Sequence, residues 1–209
     1  SRVTQMYHMF RNCANLTNID LNGCWNLDSV QSMDEMFYGC SKLTTINGLK
    51  DLDTRNVTSM ARMFRECTSL ENLDISNWNL ARVTDMGGMF RGCTSLKNLN
   101  ISGWTAPDLT NIGNMFNGCS SLQTLNMSNF SAANLTSMSG QFAGLSQLTT
   151  VDISGLNVPN VTDMNRMFAN CSGLTEITGI KDLNAPAATN MENMFYGCTS
   201  LTDLDLSNW

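Results

Sequence analysis

The phrase Val57-Thr-Ser-Met-Ala-Arg-Met-Phe64 returns as Val83-Thr-Asp-Met-Gly-Gly-Met-Phe90 and, with substitutions, along the whole chain. Its opening residues are Val3, Val30, Val57, Val83, Leu109, Leu135, Val161 and Ala188, separated by 27, 27, 26, 26, 26, 26 and 27 residues. A fixed period of this length marks small units that cannot bury an apolar face alone and must stack on their neighbours. The 209 residues therefore read as one repeat domain with units starting at about 3, 30, 57, 83, 109, 135, 161 and 188, not as two globular domains.

Counting from each opening residue as zero, the units align into columns. Offsets 3 and 6 are Met, except for Ile112 and Gln141, and they hold 14 of the 15 methionines. Offset 7 is Phe throughout, from Phe10 to Phe195, and offset 13 is Leu throughout, from Leu16 to Leu201. Offset 10 is Cys, with Leu145 the single departure. In the third unit the predicted core is Met60, Met63, Phe64, Cys67, Leu70, Leu73, Ile75 and Trp78.

Offsets 0, 3, 6, 7 and 10 fit the 3.6-residue period of one helix face and predict a helix of about two turns per unit. Thr at offset 1, as in Thr58 and Thr84, suits its N-cap. Offset 9 carries Gly or Asn in seven units, residues that tolerate the left-handed conformation after a helix; Glu66 is the exception, strained in that register. The following Leu70-Glu-Asn-Leu73-Asp-Ile75 pattern alternates as a strand with one buried face does. The expected fold is an α/β solenoid, a leucine-rich-repeat-like stack of eight units, each a short parallel β-strand plus a short helix. The longer units carry their extra residue in a turn, as in Asn47-Gly48-Leu49 and Thr178-Gly179-Ile180.

The Leu-x-x-Leu-x-Leu strand and the Phe-x-x-Cys-x-x-Leu exit resemble the BspA-like branch of leucine-rich repeats. The phrases Leu73-Asp-Ile-Ser-Asn-Trp78 and Asp53-Thr-Arg-Asn-Val-Thr-Ser-Met60 are similar to a 26-residue repeat of bacterial surface proteins. This resemblance spans the chain. It implies a cell-surface or secreted location and a binding or adhesion role, and it carries over no catalytic residue.

Composition removes other classes. A net charge of −6 disfavours nucleic acid, which needs a basic stripe. No apolar run reaches the roughly 18 residues of a membrane span. Without an initiator Met or a signal pattern, the chain reads as part of a longer one. One histidine, His8, leaves little acid–base chemistry, and it is expected on a solvated face. The cysteine column reads as buried free thiols, because Leu145 occupies the same place and a metal ladder or disulfide staple would not allow that. Cys24, beside Trp25, lies outside the column. No cofactor and no metal site is expected.

Two surfaces remain as candidates for partners. Helix offsets 4, 5 and 8 vary most, and Arg11, Tyr38, Arg62, Arg65 and Arg91 cluster there in neighbouring units; Arg and Tyr are common interface anchors. The open sheet face carries Asn18, Asp20, Asn47, Asn72, Asp74, Asn98, Asn100, Asn126 and Asp152. That row is either a solvating hydrogen-bond ladder or a site for glycan or calcium. The sequence reads as a non-enzymatic, surface-exposed binding scaffold or adhesin of a bacterium, its partner a protein or glycan. The alternative is a spacer or fibre-forming module that self-associates end to end through uncapped ends.

Overall fold

The computed structural model describes residues 3–23 and 28–209, so Cys24 and Trp25 lie outside the described residues. Six three-residue strands form: β1 (Asn18–Asp20), β2 (Thr45–Asn47), β3 (Asn98–Asn100), β4 (Thr124–Asn126), β5 (Thr150–Asp152) and β6 (Glu176–Thr178). They pair in parallel with sequential neighbours, as one sheet of β1 and β2 and another of β3 to β6. Matched offsets face one another, for example Leu99 with Leu125 and Val151 with Ile177. The fold is a parallel β-solenoid of about six strand-bearing turns. Eight strand-plus-helix units do not form: residues 72–74 and 203–205 occupy strand positions without becoming strands.

The predicted helix is absent, and the backbone hydrogen bonds give the reason. In residues 6–13, Met9, Arg11 and Cys13 donate their N–H three residues back, to Met6, His8 and Phe10. The intervening residues Met6, His8, Phe10 and Asn12 donate instead to Ser32, Asp34, Met36 and Tyr38 of the next coil. A helix would keep every N–H inside the segment. Here alternate groups are spent between coils, so the backbone donors find partners without a helix. The geometry rests on two left-handed residues four apart, such as His8 and Asn12 or Arg62 and Glu66, each with φ between 54° and 60°. No right-handed helix contains such residues. The tandem turns bury the same offsets that suggested a helix face.

Thr at offset 1 is consequently not a helix cap. Its hydroxyl donates to the backbone carbonyl of the preceding coil, as Thr84 does to Thr58 at 3.0 Å and Thr110 to Thr84 at 3.1 Å. Parallel ladders run at two further edges, through Thr175 to Thr149 and Thr68 to Ser41. With 21 Thr and 20 Ser in the chain, hydroxyls supply contacts between coils that apolar area cannot supply at corners exposed to water.

Inside, the offset-7 rings from Phe10 to Phe195 form one stack, with centroids 5.2–5.9 Å apart. Met60, Met63, Phe64, Cys67, Leu70, Ile75 and Trp78 are buried, whereas Leu73 is half-buried, as Ile19 and Ile46 are at the same offset in β1 and β2.

Both missing strands follow a coil with an added corner. Gly48, at φ 75°, turns β2 into a 3₁₀ turn at Leu49–Asp51, and Gly179, at φ 84°, does the same after β6 at Ile180–Asp182. The strand position that follows each corner, at 72–74 and at 203–205, stays irregular. A second interruption lies elsewhere. The turn ladder stops between residues 112–118 and 137–143, although β4 and β5 pair normally there. Gln141 and Leu145 replace Met and Cys at that junction, and the ring planes of Phe116 and Phe142 open to 29°. Because the two interruptions fall at different junctions, at least one ladder crosses each of them.

Candidate functional surfaces

On the turn segments, His8, Glu35 and Arg62 share one offset in successive repeats, so the winding sets a carboxylate between two nitrogen bases. Glu35 is buried; its Oε2 lies 3.2 Å from His8 Nε2 and 3.1 Å from an Arg11 guanidinium nitrogen, and its Oε1 accepts from Arg62 at 3.1 Å. Burying a carboxylate is costly without such partners. Tyr38 lies between two guanidinium groups, Arg11 at 5.0 Å and Arg65 at 5.3 Å from its ring centroid. The structure thus sets Arg11 and Arg62 against Glu35, and Arg11 and Arg65 against Tyr38. Arg91 lies in an adjoining cleft that Arg62 and Arg65 also line.

Glu35 and His8 are the members that the sequence reading missed. His8 is exposed, as expected of a solvated face, and there it meets a carboxylate. The available signal was the alternation of charge, with His8, Glu35 and Arg62 at one offset, because matched offsets stack directly across neighbouring coils.

The sheet face offers a different chemistry. An open concavity of about 700 Å³ runs across the place where the sheet is interrupted, between β2 and β4. Asn72, Asp74, Asn98, Asn100 and Asn126 line it, together with Thr45 and Thr124. Much of this column also has a local task. Asp20, Asp74, Asn100, Asn126 and Asp152 each accept, through Oδ1, the backbone N–H two residues on, which closes the turn at the strand end. Hydrogen bonds from the Ser76 hydroxyl and N–H hold the Asp74 carboxyl below the usual range. Asn98 accepts from Thr124 at 2.6 Å, and Asn18 donates to Thr17 at 3.1 Å. Asn47 precedes the Gly48 corner instead. Among the described residues no three His, Cys, Asp or Glu side chains converge as a metal site.

The cysteines of offset 10 serve packing. Cys67, Cys93 and Cys119 each donate a thiol hydrogen to the carbonyl of the Phe one coil back at 3.1 Å. Burial pushes their thiols up, Cys119 and Cys171 to about 12 and Cys40 to about 11. Such groups are poor nucleophiles. Cys13, in the same column at the first coil, is exposed.

The family model described as "Mycoplasma protein of unknown function, DUF285" matches residues 4–125 and 93–209. No curated protein matches the chain. Among solved structures, a leucine-rich-repeat protein of T. pallidum aligns over 96% of this chain and 72% of its own, at 17% identity and a TM-score of 0.51. A leucine-rich cell-surface protein of Faecalibacterium prausnitzii aligns over 97% and 76%, at 18% identity and a TM-score of 0.35. A leucine-rich-repeat protein of Bacteroides ovatus aligns over 97% and 70%, at 19% identity and a TM-score of 0.29. The T. pallidum likeness bears on the fold and places the chain in the leucine-rich-repeat class. No helix among the described residues is long and apolar enough to cross a membrane.

Proposed function

We propose that this chain, which belongs to the DUF285 family, is a non-enzymatic binding scaffold displayed on a bacterial surface, and that it takes a protein or glycan partner on its sheet face. The observation that carries this reading is the open concavity across β2, residues 72–74, β3 and β4. Its walls present amides and hydroxyls in rows with the spacing of the coils. That arrangement suits recognition of an extended, hydroxyl-rich or amide-rich partner through many weak hydrogen bonds. The likeness to bacterial surface repeats supports the location, and the repeat fold, which commits its constant columns to packing, supports a role in binding.

The test is a glycan and matrix-protein array probed with the purified protein. A reproducible signal that disappears on Asn72→Arg and Asn98→Arg, two exposed positions in the concavity, is the expected result. A signal indifferent to both substitutions places the partner elsewhere and removes the sheet face from consideration.

A further inference from the structure

A second concavity, of about 380 Å³, opens on the turn segments and is separate from the sheet face. It exists because glycines take positions where other repeats carry side chains. Gly87 and Gly88 stand where the preceding repeats have Ala61-Arg62 and Asp34-Glu35. A Cβ on Gly87 would meet the Asn111 amide at 2.7 Å, so the space belongs to the backbone and the polar groups around it.

The balance of hydrogen bonds in this cleft is uneven. Asp34 Oδ1 already receives the Ser59 hydroxyl and the Ala61 N–H. Asp85 Oδ1 already receives the Gly87 N–H at 2.7 Å and the Asn111 amide at 2.9 Å. Arg62 is turned to Glu35. Arg65, by contrast, donates no side-chain hydrogen bond among the described residues. Its Nε is buried without a partner and out of a ligand's reach, and its nearest carboxylate, Glu66, is 3.8 Å away. Its terminal nitrogens are left for the cleft it lines. Arg91 makes no ion pair and no ring contact among the described residues. Two guanidinium groups therefore have donors to spare, while two carboxylates each keep a second oxygen beyond the one already engaged.

A ligand suited to both halves carries one anionic group for Arg65 and Arg91 and several hydroxyls for the carboxylate and amide oxygens. Guanidinium groups bind carboxylates through paired hydrogen bonds. An acidic peptide supplies the anion but sets further negative charge beside Asp34 and Asp85. A neutral sugar leaves the guanidinium groups unpaired. We propose that the cleft binds a carboxylate-bearing sugar of the uronic-acid class. Its volume lies within the roughly 300–1,000 Å³ common for small-ligand sites. This site does not depend on the sheet face, so Asn72→Arg and Asn98→Arg leave it intact.

The test follows the backbone amides of Gly87, Gly88 and Gly113 by nuclear magnetic resonance. The purified protein is titrated in parallel with methyl glucuronide, methyl glucoside, glucose 6-sulfate and a triglutamate peptide. Saturable shifts of those amides with the glucuronide alone are expected, with affinity falling about tenfold or more in Arg91→Gln. Arg65→Gln also removes a cation from the Tyr38 ring, so Arg91→Gln, checked for an unchanged melting temperature, carries the comparison. The proposal is overturned by an absent response at tens of millimolar glucuronide, or by an equal response to the glucoside. A stronger response to the sulfate or the peptide, or undiminished binding in Arg91→Gln, overturns it as well.

Discussion

The indole Nε1 of Trp78 donates to the backbone carbonyl of Leu49 one coil back, at 2.9 Å. Trp209 repeats the contact with Ile180 at 2.8 Å. Leu49 and Ile180 each begin one of the two 3₁₀ corners, so the indole ties the next coil to the residue added in the corner beneath it. Trp104 stands in the same column above a coil without such a corner, and its buried Nε1 has no hydrogen-bond partner.

Phenylalanine should therefore act differently at the two positions. Trp78→Phe loses a buried hydrogen bond and leaves the Leu49 carbonyl with the Leu52 N–H as its remaining donor. Trp104→Phe removes an unsatisfied donor, and the next repeat already accommodates Phe130 in that column. Both changes leave a similar void, so their difference reports the lost hydrogen bond together with the relieved donor, at about 1–2 kcal/mol in favour of Trp104→Phe. Urea unfolding of the two variants under one condition measures it; equal midpoints would show that the Leu49 contact contributes nothing.

Gln141 offers a gain in stability. It is buried in a column of methionines, and its Nε2 finds no partner. Gln141→Met keeps the length of the side chain and removes the stranded amide, so stability should rise by about 1–3 kcal/mol. Amide hydrogen exchange should slow in residues 112–118 and 137–143, where the turn ladder is interrupted. A lower melting temperature in the variant would count against this account.

The thiol column makes the fold sensitive to alkali. Burial raises the pKa of Cys40, Cys67, Cys93, Cys119, Cys171 and Cys198 above the ordinary value of 9.0. In the unfolded chain these thiols ionise once the pH passes 9, while in the folded chain they stay protonated. The unfolded state then binds fewer protons, so stability is full below pH 9 and falls as the pH rises toward about 11 for Cys40 and about 12 for Cys119 and Cys171. Each such thiol contributes a slope of about 1.4 kcal/mol per pH unit in that window. Urea midpoints taken from pH 8 upward should decline steeply above pH 9, and Cys93→Ala should flatten the decline. In the native protein at neutral pH, a thiol reagent should modify the exposed Cys13 and spare these six.

The columns of Met, Phe, Cys and Leu were legible because stacked coils demand one residue type at each buried place. The bridges of Glu35 to His8 and Arg62 were not, although charges alternate there within one offset. The helix was misread for a related reason. Tandem turns and a two-turn helix bury the same offsets, and what separates them is a second left-handed residue at offset 5. Gly88, Asn114, Gly140 and Asn193 announce that residue, but His8, Glu35, Arg62 and Arg166 adopt the same positive φ and hide it. The two missing strands depend on how a corner in one coil affects the next, which the alternation pattern within a single unit does not encode.

The turn ladder has a direction. At each junction where it forms, four successive alternate N–H groups point toward the following coil and meet four carbonyls there, as from Met6, His8, Phe10 and Asn12 to Ser32, Asp34, Met36 and Tyr38. One face of every coil is thus a row of donors and the other a row of acceptors along this edge. Two like faces brought together would oppose donor to donor or acceptor to acceptor. The winding has a built-in polarity, and along this edge a coil accepts a neighbour in only one orientation.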